Sequence, residues 1–242
     1  MQAVLWGKDH VGLDELAVEE LSDTVAVAIT RGRHRKAYRY TDPNEDAAVA
    51  VVGPRATLLA VADGHNGWAA TEAAMTVVVE ALGTDPPPAN LDDDALVDLF
   101  HRASAAVLDV TGRPGFEQPS SRTTLVVALV ARGHVQWASF GDSTVYTVTP
   151  AGAAPLSQSQ HRFVGYPMPR SAVDFYLDRG TARLSTGAWV VAASDGFTDF
   201  AHPFPTEPFA RERPAGVIAR ALVLAACEGG AGDNVAVAVA RP

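Results

Sequence analysis

The chain has 242 residues, of which 48% are apolar and 19% charged, and its formal net charge is −9. A chain of this length can form a hydrophobic core that needs no disulfide bonds or structural metal ions. The single cysteine, Cys227, excludes a disulfide framework and a cysteine-rich zinc site. The acidic surplus argues against sequence-independent binding to nucleic acid or to an anionic membrane surface. The chain contains no apolar run near the ~18 residues of a membrane span. Because its first residues do not resemble a signal peptide, we expect a cytoplasmic protein.

In the first half of the chain, strands are predicted to precede two helices. Apolar runs bounded by turn residues predict strands at residues 24–30, 47–52 and 56–62. Helical spacing of apolar residues predicts a helix over residues 67–82 that ends at Gly83. Asn90 is predicted to cap a second helix over residues 91–110.

The second half is predicted to be rich in strands, at residues 123–131, 134–140, 144–148, 188–193 and 234–240. One helix is predicted over residues 214–228, with Pro214 at its start and Gly229 at its end. Hairpin-linked strands with helices in two groups indicate an α+β fold of packed antiparallel sheets covered by helices. No segment resembles a linker, so we expect a single domain over residues 1–242.

The acidic residues are dominated by aspartate, with 18 Asp against 10 Glu. Most Asp residues cap helices, form turns or face water. Five acidic sites, however, lie where an apolar strand begins or ends: Glu45-Asp46, Asp63, Asp142, Asp195 and Asp233. Strand ends are rigid and can converge at one edge of a sheet, and convergent carboxylates are the ligands that Mg²⁺ and Mn²⁺ prefer. An ordinary turn is the better interpretation of any one of them, but the five together favour a metal site.

Six motifs, in order, resemble those of the metal-dependent PP2C (PPM) serine/threonine phosphatases. They are NEDA (44–47), VADGHNG (61–67), RTTLVVALV (122–130), FGDS (140–143), ASDGFTD (193–199) and GDNVAVAV (232–239). The resemblance runs from about residue 24 to the end of the chain. It implies two antiparallel sheets face to face with helix pairs outside, and a binuclear Mn²⁺ or Mg²⁺ centre at one end of the sandwich.

The resemblance also implies ligand roles for eight residues. Asp63 would bridge both metals, Asp195 and Asp233 would complete the first site, the Gly64 carbonyl and the pair Glu45 and Asp46 would serve the second, some through water, and Asp142 and Asp199 match a weaker third position. Two close divalent ions activate a bridging water for attack on phosphorus.

Two further residues are implied in catalysis. His65 matches the family's proposed general acid, although a histidine that only orders water is the alternative. The family places a phosphate-binding Arg four residues before its Glu-Asp pair, where this chain has Thr41. A two-residue insertion around Asp42 and Pro43 would make Arg39 the equivalent, and a solvated basic stretch is the alternative for Arg39.

The chain also departs from the family's pattern. Asn66, Arg122 and Thr144 replace its usual residues, and the variable flap, at about residues 150–186, cannot be aligned. The prediction is a phosphatase of phosphoserine and phosphothreonine in proteins, with a phosphorylated protein as substrate and a cognate Ser/Thr kinase system as a further expected partner. A phosphatase-like binding module with little activity and a phosphatase of small phosphorylated molecules remain the alternatives.

Overall fold

The computed structural model describes residues 1–36 and 43–242. Strands in these residues are β1 Gln2–Trp6, β2 Leu16–Ser22, β3 Val25–Thr30, β4 Ala47–Val52, β5 Ala56–Ala62, β6 Gly64–His65, β7 Arg122–Thr123, β8 Leu125–Ala131, β9 His134–Phe140, β10 Thr144–Thr149, β11 Gly152–Pro155, β12 Asp178–Arg183, β13 Trp189–Ala193 and β14 Val235–Ala240. Helices are α1 Ala69–Leu82, α2 Asp93–Thr111, α3 Arg170–Tyr176, α4 Asp195–Phe200 and α5 Ala215–Glu228.

Most of the strands form two six-stranded sheets in which every neighbouring pair is antiparallel. The first has the order β1-β4-β5-β8-β9-β12 and the second β11-β10-β13-β14-β3-β2. The short strands β6 and β7 form a separate two-stranded ribbon. The predicted α+β fold of two antiparallel sheets is therefore confirmed.

Both faces of the central strands are covered, which explains why these strands are apolar throughout. In β5, Leu58 and Ala60 pack with α1 and α2, whereas Leu59 and Val61 pack with the second sheet. Side chains alternate along a strand, so a strand covered on both faces loses the usual apolar–polar alternation. Burial on both faces results in three apolar layers in the order helix–sheet, sheet–sheet and sheet–helix.

The helices cover the outer faces of the sandwich in two groups, as the sequence predicted. Helices α1 and α2 pack together on the first sheet. Helices α4 and α5 pack on the second sheet, where Ile218 and Leu222 of α5 are fully buried. In the described part of the chain, no helix is both long and apolar enough to cross a membrane.

The predicted strands 47–52, 56–62 and 134–140 are confirmed to the residue. The strands that are not predicted from the sequence include β1, β2, β11 and β12, which are the outermost strands of the two sheets. An outermost strand has a neighbour on one side only, so it contains fewer buried apolar residues. β12, with the sequence DRGTAR, has no fully buried residue.

Most other predicted ends differ from the observed ones by one or two residues, and two further predictions are wrong. The predicted strand 123–131 is interrupted at Thr124, because Arg122 and Thr123 pair with β6 rather than with β9. The cap of α2 is Asp92 and not Asn90: the Asp92 carboxylate accepts a hydrogen bond of 2.7 Å from the backbone N–H of Ala95. The sequence around Asn90 offers four candidate caps in five residues, and backbone geometry selects among them.

We predict that Asp92→Ala lowers the free energy of unfolding by about 1 kcal/mol, because it removes the hydrogen-bonding cap of α2. Urea denaturation measures the loss. The matched control is Asn90→Ala, which changes an exposed residue two positions earlier and should alter the free energy by less than about 0.5 kcal/mol. Equal losses in the two variants would contradict the assignment of Asp92 as the cap.

Candidate metal centre

The strand registers bring the acidic residues to one end of the sandwich. Ala47, at the start of β4, pairs with Ala62, at the end of β5, so Asp46 and Asp63 are adjacent. Leu125 pairs with Phe140 at the end of β9, which places the turn containing Asp142 at the same end. In the second sheet, Thr144 pairs with Ala193, so Asp195 follows at that end.

Three of these carboxylates form a compact cluster. One oxygen each from Asp63, Asp142 and Asp195 lie within 4.8 Å of one another. Asp63 is buried, and Asp142 and Asp195 are half-buried. Three carboxylates at this separation repel one another unless a cation lies between them, so the cluster has the donor set of a site for a hard divalent ion.

Several buried carboxylate oxygens accept no hydrogen bond from the described residues. They are both oxygens of Asp46 and one oxygen each of Asp63, Asp142 and Asp195. A buried acceptor without a donor is costly, and a buried charge without a partner more so. Bound divalent ions would supply the missing partners, so the residues present fit a metal centre.

The pKa values of these carboxyl groups reflect the same crowding. Burial raises the pKa of Asp63 well above its usual range, and Asp46 and Asp195 raise it further. Burial also raises the pKa of Asp46 to about 8, and the nearby Asp233 contributes to the increase. The pKa of Asp142 is raised by burial and by Asp195. Each shift indicates an unfavourable negative charge that a cation would stabilise.

Lys36 places an ammonium group among the remaining carboxylates. Its Nζ lies 2.7 Å from Oδ1 of Asp233 and 3.1 Å from Oε2 of Glu45, and its side chain is 9% exposed. Burial would lower the pKa of Lys36, but Asp63, Asp233, Asp46 and Glu45 outweigh that effect and raise it. Lys36 is therefore charged in this environment.

Hydrogen bonds from the 122–124 segment and the neighbouring turn fix the backbone of Asp63. The carbonyl of Asp63 accepts bonds of 2.9 Å from the Thr123 hydroxyl and from the Thr124 N–H. The Asp63 N–H donates to Oγ1 of Thr124 at 3.1 Å, and this hydroxyl lies 2.7 Å from Oγ of Ser143. The RTT and GDS motifs thus position the carboxylate of the DGH motif.

Asn234 connects three segments around the centre. Its Oδ1 accepts a bond of 2.9 Å from the Glu45 N–H, and its Nδ2 donates at 3.0 Å to the carbonyls of Arg31 and Pro43. The side chain is 1% exposed. The buried amide therefore holds the Glu45 backbone beside Asp233, the residue that precedes Asn234.

Two glycines permit the backbone to approach the centre closely. A Cβ on Gly64 would lie 2.6 Å from Oγ1 of Thr71 and 2.7 Å from Cβ of Glu45. A Cβ on Gly196 would collide with the carbonyl oxygen of Asn234. Glycine is thus required after Asp63 and after Asp195 for packing reasons, whether or not the Gly64 carbonyl binds an ion.

His65 lies at the edge of the cluster. Its Nδ1 is 3.7 Å from Oδ1 of Asp63, its side chain is 38% exposed, and its ring packs against Phe163 with centroids 4.6 Å apart. Phe163 precedes Val164, whose N–H donates a 2.7 Å bond to the carbonyl of Thr123. The predicted flap segment therefore contacts the candidate acid directly.

Other predicted site residues have different surroundings. Glu45 is fully buried, and its carboxylate accepts bonds from the Gly67 N–H and from Lys36. Asp199 lies one turn after Asp195 in α4 and is exposed, outside the three-carboxylate cluster. Arg39 lies outside the described residues.

Three residues of the site, Lys36, Asn234 and Phe163, have no role predicted from the sequence. Asn234 was visible in the GDN motif, since a polar residue directly before an apolar strand is a candidate for a buried hydrogen bond. Lys36 and Phe163 had no such signal. Lys36 belongs to a basic stretch that reads as solvated, and Phe163 belongs to a segment without a recognisable pattern.

The chain and its structure resemble a known protein family and several solved structures. The family model for protein phosphatase 2C matches residues 31–215. The structure is similar to serine/threonine phosphatase Stp1 from Staphylococcus aureus, with 18% identity, a TM-score of 0.70, and 96% of this chain and 97% of that chain covered. It is also similar to the Mycobacterium tuberculosis serine/threonine phosphatase PstP/Ppp, with 22% identity, a TM-score of 0.62, and coverage of 93% and 97%.

A structure of the catalytic domain of PstP in complex with two manganese ions is similar as well, with 20% identity, a TM-score of 0.62, and coverage of 93% and 97%. No curated protein matches the chain by sequence. At these identities, the solved structures establish the fold.

We predict that Asn234→Ala lowers the free energy of unfolding by about 3 kcal/mol, because it leaves the buried Glu45 N–H without its acceptor and removes the bonds to the carbonyls of Arg31 and Pro43. Urea denaturation in the presence of EDTA measures the loss without a contribution from metal. The control is Asn66→Gly, at an exposed residue with a φ of 59°, which should change stability by less than about 0.5 kcal/mol. A comparably small loss in Asn234→Ala would contradict the bridging role.

Proposed function

Because the chain belongs to the protein phosphatase 2C family, we propose that this phosphatase is metal-dependent and hydrolyses phosphoserine and phosphothreonine monoesters in proteins. The observation that carries the proposal is the set of buried carboxylate oxygens without hydrogen-bond donors in the described part of the chain. A phosphoryl group is anionic, and cations on these carboxylates would make their end of the sandwich attractive to it. The similar solved structures are named serine/threonine phosphatases, which supports the proposed substrate class.

The proposed cofactors are two Mn²⁺ or Mg²⁺ ions, with a weaker third position. Bound together, the two ions would activate a water for attack on phosphorus and offset charge on the phosphoryl oxygens. The residues proposed to hold the two ions are Asp63 as the bridge, Asp195 and Asp233 for the first, and Gly64, Glu45 and Asp46 for the second. Asp142 and Asp199 are proposed for the third. The compact cluster of Asp63, Asp142 and Asp195 supports this assignment, as does the two-manganese complex of PstP.

His65 is proposed as the general acid that protonates the leaving alkoxide. Its partial exposure keeps the ring accessible to a substrate, and Phe163 restricts its orientation. The alkoxide of Ser or Thr is a poor leaving group, so a positioned proton donor accelerates its departure. The metal centre would activate the water, so activation of the water and protonation of the leaving group would involve different residues.

Arg39 is proposed to bind the phosphate, because a guanidinium matches two phosphoryl oxygens. Arg122 supplies a second cationic group beside His65, of which it is the cross-strand partner. Its guanidinium lies over the ring of Tyr166, which belongs to the flap segment 150–186. We therefore propose that residues 150–186 shape the substrate side of a single phosphatase domain spanning residues 1–242.

A phosphoprotein substrate implies a Ser/Thr kinase that supplies it, and we include such a kinase and a cytoplasmic location in the proposal. Two alternatives are distinguishable by experiment. A binding module would bind metal without turnover. A phosphatase of small phosphorylated molecules would hydrolyse an aryl phosphate but leave a phosphopeptide intact.

We predict that hydrolysis of a phosphothreonine peptide requires Mn²⁺, stops in EDTA, and falls by ~10²-fold or more in Asp63→Asn, because this variant removes the proposed bridging charge. Release of inorganic phosphate measures the rate. Asp85→Asn, at an exposed residue between α1 and α2, is the control and should match the wild type. Activity that survives EDTA and Asp63→Asn would exclude the metal mechanism, and metal binding without turnover would indicate the binding module.

We predict that His65→Gln lowers kcat by ~10²-fold for the phosphothreonine peptide but much less for p-nitrophenyl phosphate. The nitrophenolate ion leaves without a proton, so it does not need a general acid. Steady-state kinetics on the two substrates measure the difference, and His101→Gln, on α2, is the control. Equal losses for the two substrates would favour the alternative in which His65 only orders water.

A further inference from the structure

Lys36 is one of only two lysines in the chain, against 17 arginines, and its ammonium lies inside the acidic centre. The backbone that leads to it is fixed: the N–H groups of Arg33 and His34 both donate to the carbonyl of Ala231, at 2.9 and 3.0 Å. Ala231 is two residues before Asp233, so the segment that contains Lys36 is attached to the loop that contains one of the proposed ligands. The position of Lys36 thus follows from the fold.

The ammonium joins the two proposed metal positions. Asp233 belongs to the first and Glu45 to the second, and Nζ lies 2.7 and 3.1 Å from their carboxylate oxygens. Each carboxylate has a further partner, because Oδ1 of Asp233 also accepts from the Asn234 N–H at 2.7 Å and Oε1 of Glu45 accepts from the Gly67 N–H. The carboxylates are therefore held in place while Lys36 contacts them.

A divalent ion and this ammonium compete for the same two carboxylates. A Mn²⁺ or Mg²⁺ ligand lies ~2.0–2.2 Å from the ion, and an ammonium 2.7 Å from the same oxygen would be close to the ion and strongly repelled. Lysine has a flexible four-carbon stem and a compact charge, so it can withdraw without disturbing the backbone.

We propose that Lys36 is a built-in competitor of divalent ions: it stabilises the carboxylates of Glu45 and Asp233 and must leave them when metal binds there. This inference rests on the proposed metal centre. It adds that the centre binds metal more weakly than its carboxylates alone would, and that the protein tolerates loss of metal because a cation of its own remains.

The test is Mn²⁺ binding to Lys36→Gln, measured by isothermal titration calorimetry. Removing the competing charge should tighten binding about tenfold relative to the wild type. The matched control is Lys8→Gln, the chain's other lysine, which pairs with Glu72 at 2.6 Å and should bind Mn²⁺ within about twofold of the wild type. Equal or weaker binding by Lys36→Gln would overturn the proposal.

A second measurement compares thermal unfolding in EDTA and in saturating Mn²⁺. Lys36→Gln should lower the melting temperature in EDTA and lose much less in Mn²⁺, because metal replaces the missing charge. An equal loss in both conditions would identify Lys36 as an ordinary structural ion pair and overturn the proposal. Lys36→Met, which keeps most of the stem, serves for both measurements if Lys36→Gln does not fold.

The same experiments separate failure of this inference from failure of the proposed function. If neither the wild type nor Lys8→Gln binds Mn²⁺, the metal centre itself is wrong and the inference falls with it. If both bind Mn²⁺ and Lys36→Gln binds it with the same affinity, the metal centre stands and only the competition is wrong.

Discussion

The burial of negative charge at one end of the sandwich is the constraint on which the site depends. Asp46 and Asp63 are each 2% exposed, and carboxylates out of contact with water are costly unless a cation or hydrogen-bond donors compensate. The surrounding residues hold these carboxylates in place, and Lys36 contributes a single positive charge to their neighbours Glu45 and Asp233. Thr123 and Thr124 fix the backbone of Asp63, and Asn234 fixes that of Glu45. Asp46 and Asp63 keep oxygens that accept no hydrogen bond from the described residues and are available to cations.

The two-sheet architecture makes such an arrangement possible. Strands buried on both faces are rigid, and antiparallel registers return the chain repeatedly to the same end. Each return places an acidic residue within two positions of a strand end, so the rigid strands fix the positions of the carboxylates. Burial of the large apolar core between and outside the sheets offsets the free energy that is lost by burying these carboxylates. Gly64 and Gly196 then permit neighbouring backbones to approach the centre without steric conflict.

The central strands could be predicted from the sequence, and the outermost ones could not, for a physical reason. β5 is apolar along its whole length because both of its faces are covered, whereas β2 and β12 are partly exposed and read as polar segments. The acidic positions could be proposed because each adjoins a recognisable central strand. Lys36 could not, since a charged residue in a basic stretch is usually solvated. Its burial results from hydrogen bonds between segments almost 200 residues apart, which no local pattern encodes.

Part of the excess of aspartate, and the choice of lysine at position 36, can be explained at this centre. Two divalent ions would bring the formal charge from −9 to about −5, so part of the acidity belongs to the site and not to the surface. Lys36 supplies a single positive charge to the same carboxylates. An arginine there would form a planar, multiply bonded fork that is harder to displace. In a chain with 17 arginines and two lysines, the compact and weakly directional ammonium of Lys36 is the cation that metal can replace.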